Sequence, residues 1–196
     1  YQDPTALQLE GRHAVILGLG AIGQKVAASC LALNMRATGV NRTGESTRTE
    51  SFVDLSRIGY GDFTLISINH LDSALKDAHA LILCLPLTAE TQGIIGHHQL
   101  AILADQAIVV NVSRGPVVDQ SALYEQLRSG RLRAGIDVWY QYPPDDNSRS
   151  NTRPSTFPFE DLDNVVMTPH LAAHTTSTEL YRARELATLL NALAGH

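Results

Sequence analysis

The chain has 196 residues and little cysteine, with Cys30 and Cys84 as its two thiols. They lie far apart in apolar surroundings. That pattern suits two buried thiols in a reducing cytoplasm better than a disulfide or redox pair. No apolar run approaches the roughly 20 residues of a membrane-spanning helix, and the opening YQDPTALQLEG has no charged-then-apolar leader, so no membrane partner is expected. Positive charge is not in excess. The formal net charge is −5, whereas a nucleic-acid partner ordinarily calls for a basic stripe. Internal repeats and low-complexity tracts are missing. His97 and His98 are adjacent, but no ligand cluster accompanies them, which argues against a metal site. What is present is ordinary for one globular domain over residues 1–196: 44% apolar and 18% charged residues, enough to bury a core.

Strand-like and helix-like segments alternate along the chain. HAVIL (13–17) is a short apolar strand stopped by Gly18, and helical spacing follows from Ala21 to Leu33. MRATGV forms a second strand. Residues 43–62 read as loop, with a short helix around Val53–Ile58. FTLISI, ALILCLP, AIVVNVS, LRAGIDVW and NVVMTP supply further strands. LDSALKDA, HHQLAILAD, a segment from Asp119 to a stop at Gly130, and an amphipathic stretch over Ser177–Ala194 supply helices. Residues 140–160 are a loop rich in Pro, Ser and Asn. The strands are apolar throughout rather than alternating. This predicts a doubly wound α/β domain, a parallel sheet covered on both faces.

Gly18-Leu19-Gly20-Ala21-Ile22-Gly23 falls between the first strand and the first helix. In a dinucleotide-binding turn the first glycine permits the bend, the second lets a pyrophosphate approach, and the third lets the helix pack on the strand. The helix N–H groups then face the phosphates. The second strand ends in Asn41, Arg42 and Thr43, where an NAD site usually carries a carboxylate for the ribose. A guanidinium suits a phosphate, and neither neighbour repels an anion. NADP is therefore expected to be preferred over NAD. The alternative is that Arg42 stacks on adenine or points to water, with NAD still accepted.

Polar groups gather where strands end, in LPLTAET (85–91), NVSRGPVVD (111–119) and MTPHLAAHT (167–175). Arg114 and His170 make a plausible pair for hydride chemistry at a carbonyl, one gripping a carboxylate and the other exchanging a proton. Spacing alone leaves open a surface ion pair for Arg114 and a satisfied loop position for His170. The stretches GRHAVILGLGAIGQKVA, ALILCLPLTAETQGIIG, AIVVNVSRGPVVDQSALYEQLRSGRLRAGIDVW and NVVMTPHLAAHT run in order from about residue 9 to 195. In them the chain resembles the nucleotide-binding domain of the D-2-hydroxyacid dehydrogenase family.

That resemblance implies that Arg114 binds the substrate carboxylate and that His170 is the general acid in reduction. It implies that Ala21 and Ile22 offer N–H groups to the pyrophosphate. Leu85, Pro86 and Thr91 would line the nicotinamide side, Val112 and Ser113 would lie near the cofactor, and Asp137 would contact the carboxamide. The tip at residues 41–43 resembles NADP-using glyoxylate and hydroxypyruvate reductases, so a small 2-oxo acid is the implied substrate. Formate- or phosphite-like oxidation, and a non-catalytic dinucleotide-sensing module, are the alternatives. A homodimer is implied through Ala122–Leu127 and LPLTAETQGIIG.

Two departures stand out. The family carries a Glu before a Pro shortly after the strand matching GIDVW, and here Tyr142 occupies that place. It can hold an imidazole without supplying charge, and Asp145, Asp146 or Glu160 are candidate substitutes. The family's substrate domain is also not represented, so the chain is expected to be a cofactor domain that binds dinucleotide and turns over poorly alone.

Overall fold

A computed structural model describes residues 8–45 and 62–194. Its strands are β1 (His13–Leu17), β2 (Arg36–Asn41), β3 (Phe63–Ser67), β4 (Ala80–Leu83), β5 (Ile108–Asn111), β6 (Arg133–Ile136) and β7 (Val165–Met167). Its α-helices are α1 (Ala21–Ala32), α2 (Leu71–Leu75), α3 (His97–Ala101), α4 (Gln120–Arg128) and α5 (Thr176–Leu193). All strand pairs are parallel, in the order β3-β2-β1-β4-β5-β6-β7. The short helix expected around Val53–Ile58 lies outside the described residues.

Successive residues of a strand face opposite sides of the sheet, and β1 shows why its run is unbroken. Val15 and Leu17 join the core that includes Leu75, Leu100, Leu123 and Leu127, from α2, α3 and α4. Ala14 and Ile16 join the other core, with Ala27, Cys30 and Leu31 of α1. These four of the five β1 residues are at most 1% exposed, so both faces must be apolar. Emptying such a site, as in Ile16→Ala, costs about 2–5 kcal/mol.

β4 and β5 are shorter than the apolar runs that contain them. β4 stops at Leu83, and β5 stops at Asn111. Beyond those points the backbone leaves the ladder to build the loops of the carboxyl edge. Asp119 caps α4 by accepting from the Ala122 N–H at 2.8 Å. The last helix begins at Thr176 rather than Ser177 and is capped by Thr175, whose Oγ1 accepts from the Thr178 N–H at 3.1 Å. That helix does not bury its apolar residues against the described body: Leu180, Leu186, Leu189, Leu190 and Leu193 are all exposed.

Candidate active site

Strand order reverses between β1 and β4, and the crevice at that point is where open α/β sheets bind ligands. Gly18 turns the chain with φ +98°, and its N–H donates to Val40 O at 2.9 Å. A Cβ there would lie 2.8 Å from the Cys84 carbonyl, and one at Gly23 would lie 1.9 Å from Gly18 O. Both positions therefore exclude side chains. At Gly20 the opposite holds, because a Cβ would meet nothing within 4 Å. The Gln24 amide donates to Leu19 O at 3.0 Å and steadies the turn. No side chain caps α1, so the first-turn N–H groups remain available to an anion. A bare helix start beside an open glycine fits a dinucleotide pyrophosphate.

A cleft of about 760 Å³ runs from this turn to the β2 tip and the β4 loop. Gly18, Gly20, Asn41, Arg42, Thr43, Leu85, Pro86 and Thr91 line it. Ala21, Ile22, Gly23, Val112 and Ser113 do not. Gly23 is buried beneath the turn, while Ala21 and Ile22 are exposed at the helix start. Sequence reasoning missed Ile68, Thr88 and Ile94, which share the cleft. Their signal is only their place after β3 and β4. Cys84 also lines it, and burial, helped by Cys30, pushes its thiol up to about 11, so it stays a thiol near neutrality.

At the tip, Asn41 and Thr43 hydrogen-bond within the turn itself. Asn41 Oδ1 accepts from the N–H groups of Thr43 and Gly44 at 3.1 and 2.6 Å, and its Nδ2 donates to Glu45 O at 2.8 Å. Thr43 Oγ1 accepts from the Glu45 N–H at 3.2 Å. Ser67 Oγ donates to Arg42 O at 3.1 Å, tying the tip to β3. The Arg42 side chain is exposed and makes no hydrogen bond or ion pair among the described residues. It is the one cation among the residues that line this cleft. On the other wall, Thr91 Oγ1 donates to Pro86 O at 2.7 Å and accepts from the Thr88 N–H at 2.8 Å, folding the loop after β4.

At the end of β5, Asn111 is 2% exposed. It donates to Arg114 O at 3.0 Å and accepts from both the N–H and the hydroxyl of Ser113. Asn111 was not singled out from sequence, yet it shapes the turn that presents Arg114. Arg114 is exposed, lines neither cleft described here, and donates from Nη1 to its neighbour Ser113 O at 2.6 Å. It shares the carboxyl edge with His170 but makes no hydrogen bond to it. They follow β5 and β7, with β6 between those strands.

His170 lines a second cleft of about 760 Å³ at the ends of β6 and β7, together with Tyr142, Trp139, Gln141 and Arg149. The Tyr142 hydroxyl lies 3.1 Å from His170 Nδ1 and accepts from the Trp139 N–H at 2.9 Å. With one lone pair taken, the phenol can still donate to a bare Nδ1 or accept from a protonated one through its second lone pair. Asp145 binds the N–H and hydroxyl of Ser148, and Asp146 pairs with Arg149 at 2.7 Å. Neither these nor Glu160 hydrogen-bonds His170.

Asp137 is buried and accepts from Thr168 Oγ1 and from the N–H groups of Leu171 and Ala172. Burial resists its ionisation. The bonds from Thr168, Ala172 and Leu171, with the charge of nearby His170, outweigh that and hold the carboxyl below its usual range. Among the described residues no group of three or more His, Cys, Asp or Glu is placed to hold a metal, and no helix is long and apolar enough to cross a membrane.

The family model of the D-isomer specific 2-hydroxyacid dehydrogenase NAD-binding domain matches residues 1–172. The chain belongs to this family. As a D-2-hydroxyacid dehydrogenase family member it is 34% identical, over 175 residues, to the D-3-phosphoglycerate dehydrogenase of Archaeoglobus fulgidus, covering 89% of this chain and 29% of that protein. It is 36% identical, over 180 residues, to the glyoxylate reductase of Korarchaeum cryptofilum, covering 90% of this chain and 47% of that protein. The chain thus spans less than half the length of these two relatives. Among solved structures, the D-lactate dehydrogenase of Aquifex aeolicus, complexed with NAD and lactic acid, superposes with a TM-score of 0.74 at 26% identity. That match covers 97% of this chain and 56% of the other.

Proposed function

We propose that this domain serves an NADP-preferring reductase of small 2-oxo acids, of the glyoxylate or hydroxypyruvate kind. The observation that carries this reading is the His170 imidazole, held at Nδ1 by Tyr142 on the same sheet edge as Arg114 and the glycine turn. The relatives named glyoxylate reductase and D-3-phosphoglycerate dehydrogenase support the substrate class.

The α1 amino terminus and Gly20 receive the pyrophosphate, and Arg42 takes a 2′-phosphate. A bound nicotinamide supplies the hydride. Arg114 releases Ser113 O and grips the substrate carboxylate through its planar fork, which also polarises the adjacent carbonyl. His170, as the imidazolium, donates its Nε2 proton to the carbonyl oxygen as negative charge develops there, and is left neutral with its remaining proton on Nδ1. Tyr142 keeps the ring aimed and, when the ring is charged, accepts from Nδ1.

Steady-state assays of the full-length protein with a panel of 2-oxo acids and NADPH or NADH test the reading. Turnover that His170→Gln and Arg114→Gln both abolish is expected. Dinucleotide binding without turnover across the panel would overturn it in favour of a sensing module.

A further inference from the structure

The segment just past β6 holds His170 at two levels. Asp137 Oδ1 accepts from Thr168 Oγ1 at 2.5 Å and from the Leu171 N–H at 2.8 Å. Its Oδ2 accepts from the Ala172 N–H at 3.0 Å. These donors bracket His170 on both sides in sequence. His170 itself has φ +60°, a left-handed backbone that L residues rarely adopt. Such a conformation persists only where the surroundings over-determine it. Trp139 contributes twice more: its indole N–H donates to Thr168 O at 2.9 Å, and its backbone N–H holds the Tyr142 hydroxyl that meets the ring.

We propose that Asp137 is a positioning residue for the imidazole of His170, its carboxylate clamping residues 168–172 so that the left-handed turn presents the ring at one fixed place. Three donors converge on one buried carboxylate. Two of them are backbone N–H groups from the residues immediately after His170. Neutralising that acceptor releases the turn toward ordinary right-handed or extended backbone, and the ring leaves the Tyr142 hydroxyl. This role differs from a contact to the dinucleotide, although Oδ2 keeps a lone pair for a further donor. Its bearing on turnover rests on His170 being the proton donor, but the clamp itself does not.

The test uses Asp137→Asn in the full-length protein, with Thr168→Val as a milder second variant that removes one of the three donors. Dinucleotide affinity, kcat and KM are measured, and the His170 imidazole is followed by NMR, its signals assigned by their loss in His170→Gln. Asp137→Asn is expected to lower kcat about 100-fold, the scale of a misplacement near 1 Å, while dinucleotide affinity stays within about threefold. The His170 signals should shift or broaden without any ligand, and Thr168→Val should move them less, in the same direction. Unmoved His170 signals in both variants, or a loss confined to dinucleotide affinity, would overturn the proposal. Absence of turnover with every 2-oxo acid would strike the proposed function alone, because the NMR signals still decide the clamp.

Discussion

Replacing Arg42 by Ala separates cofactor choice from cofactor binding. The guanidinium lines the cleft, exposed, and makes no hydrogen bond or ion pair among the described residues, so its removal breaks no such contact there. In water, two unit charges about 4 Å apart attract by about 1 kcal/mol. A phosphate monoester carries about 1.5 to 2 negative charges at neutral pH. The pair is then worth about 2 kcal/mol, or about 30-fold in affinity, and physiological salt trims it toward 10-fold. Fluorescence titration of Arg42→Ala with each dinucleotide should thus show NADP binding weakened about 10- to 30-fold and NAD binding changed less than about twofold. Raising the salt should shrink the difference, because the group is exposed. The turn should survive, since its geometry depends on Asn41, Thr43 and Ser67 rather than on the Arg42 side chain. Equal losses for both cofactors would mean that Arg42 stacks on a shared part of the dinucleotide, and the phosphate argument would fall. Equal affinity of the unaltered protein for NAD and NADP would refute it as directly.

Three other outcomes follow from the geometry. Tyr142→Phe, which deletes the hydroxyl on His170 Nδ1, should lower kcat about fivefold, as for a lost bond of about 1 kcal/mol. Tyr142→Glu should let reduction persist about one pH unit higher, because a carboxylate favours the imidazolium; pH profiles unchanged in both would remove Tyr142 from the mechanism. At His170, Gly should be more stable than Ala by about 1 kcal/mol in urea unfolding, since relief of a left-handed residue, about 1–2 kcal/mol, exceeds the usual advantage of Ala. The ordinary order, Ala above Gly, would show that φ +60° carries no strain. Asp119→Ala should cost about 1 kcal/mol through the lost α4 cap. The Ala122 N–H and the Ser121 hydroxyl lower the Asp119 pKa, so this stabilisation is present above the unfolded value of 3.8 and is lost as pH falls through the lower folded value. A gap between Asp119→Ala and the unaltered protein that is as large in strong acid as at neutral pH would contradict that assignment.

The unbroken apolar runs of β1, β4 and β5 determined the parallel, doubly covered sheet from sequence alone, because a strand buried on both faces has no room for alternation. The glycine turn was equally legible. Gly23 answers to a local contact, with Gly18 O five residues before it, and Gly18 to its own φ of +98°, although the backbone that crowds Gly18 is that of Cys84 on a neighbouring strand. Tertiary structure alone decided how the polar atoms of the site are spent. Asp137 and Leu171 are 34 residues apart, and their pairing depends on β6 and β7 lying side by side. Side-chain hydrogen bonds across such distances carry no periodic signature along the chain. Only the folded sheet edge brings their partners within 3 Å.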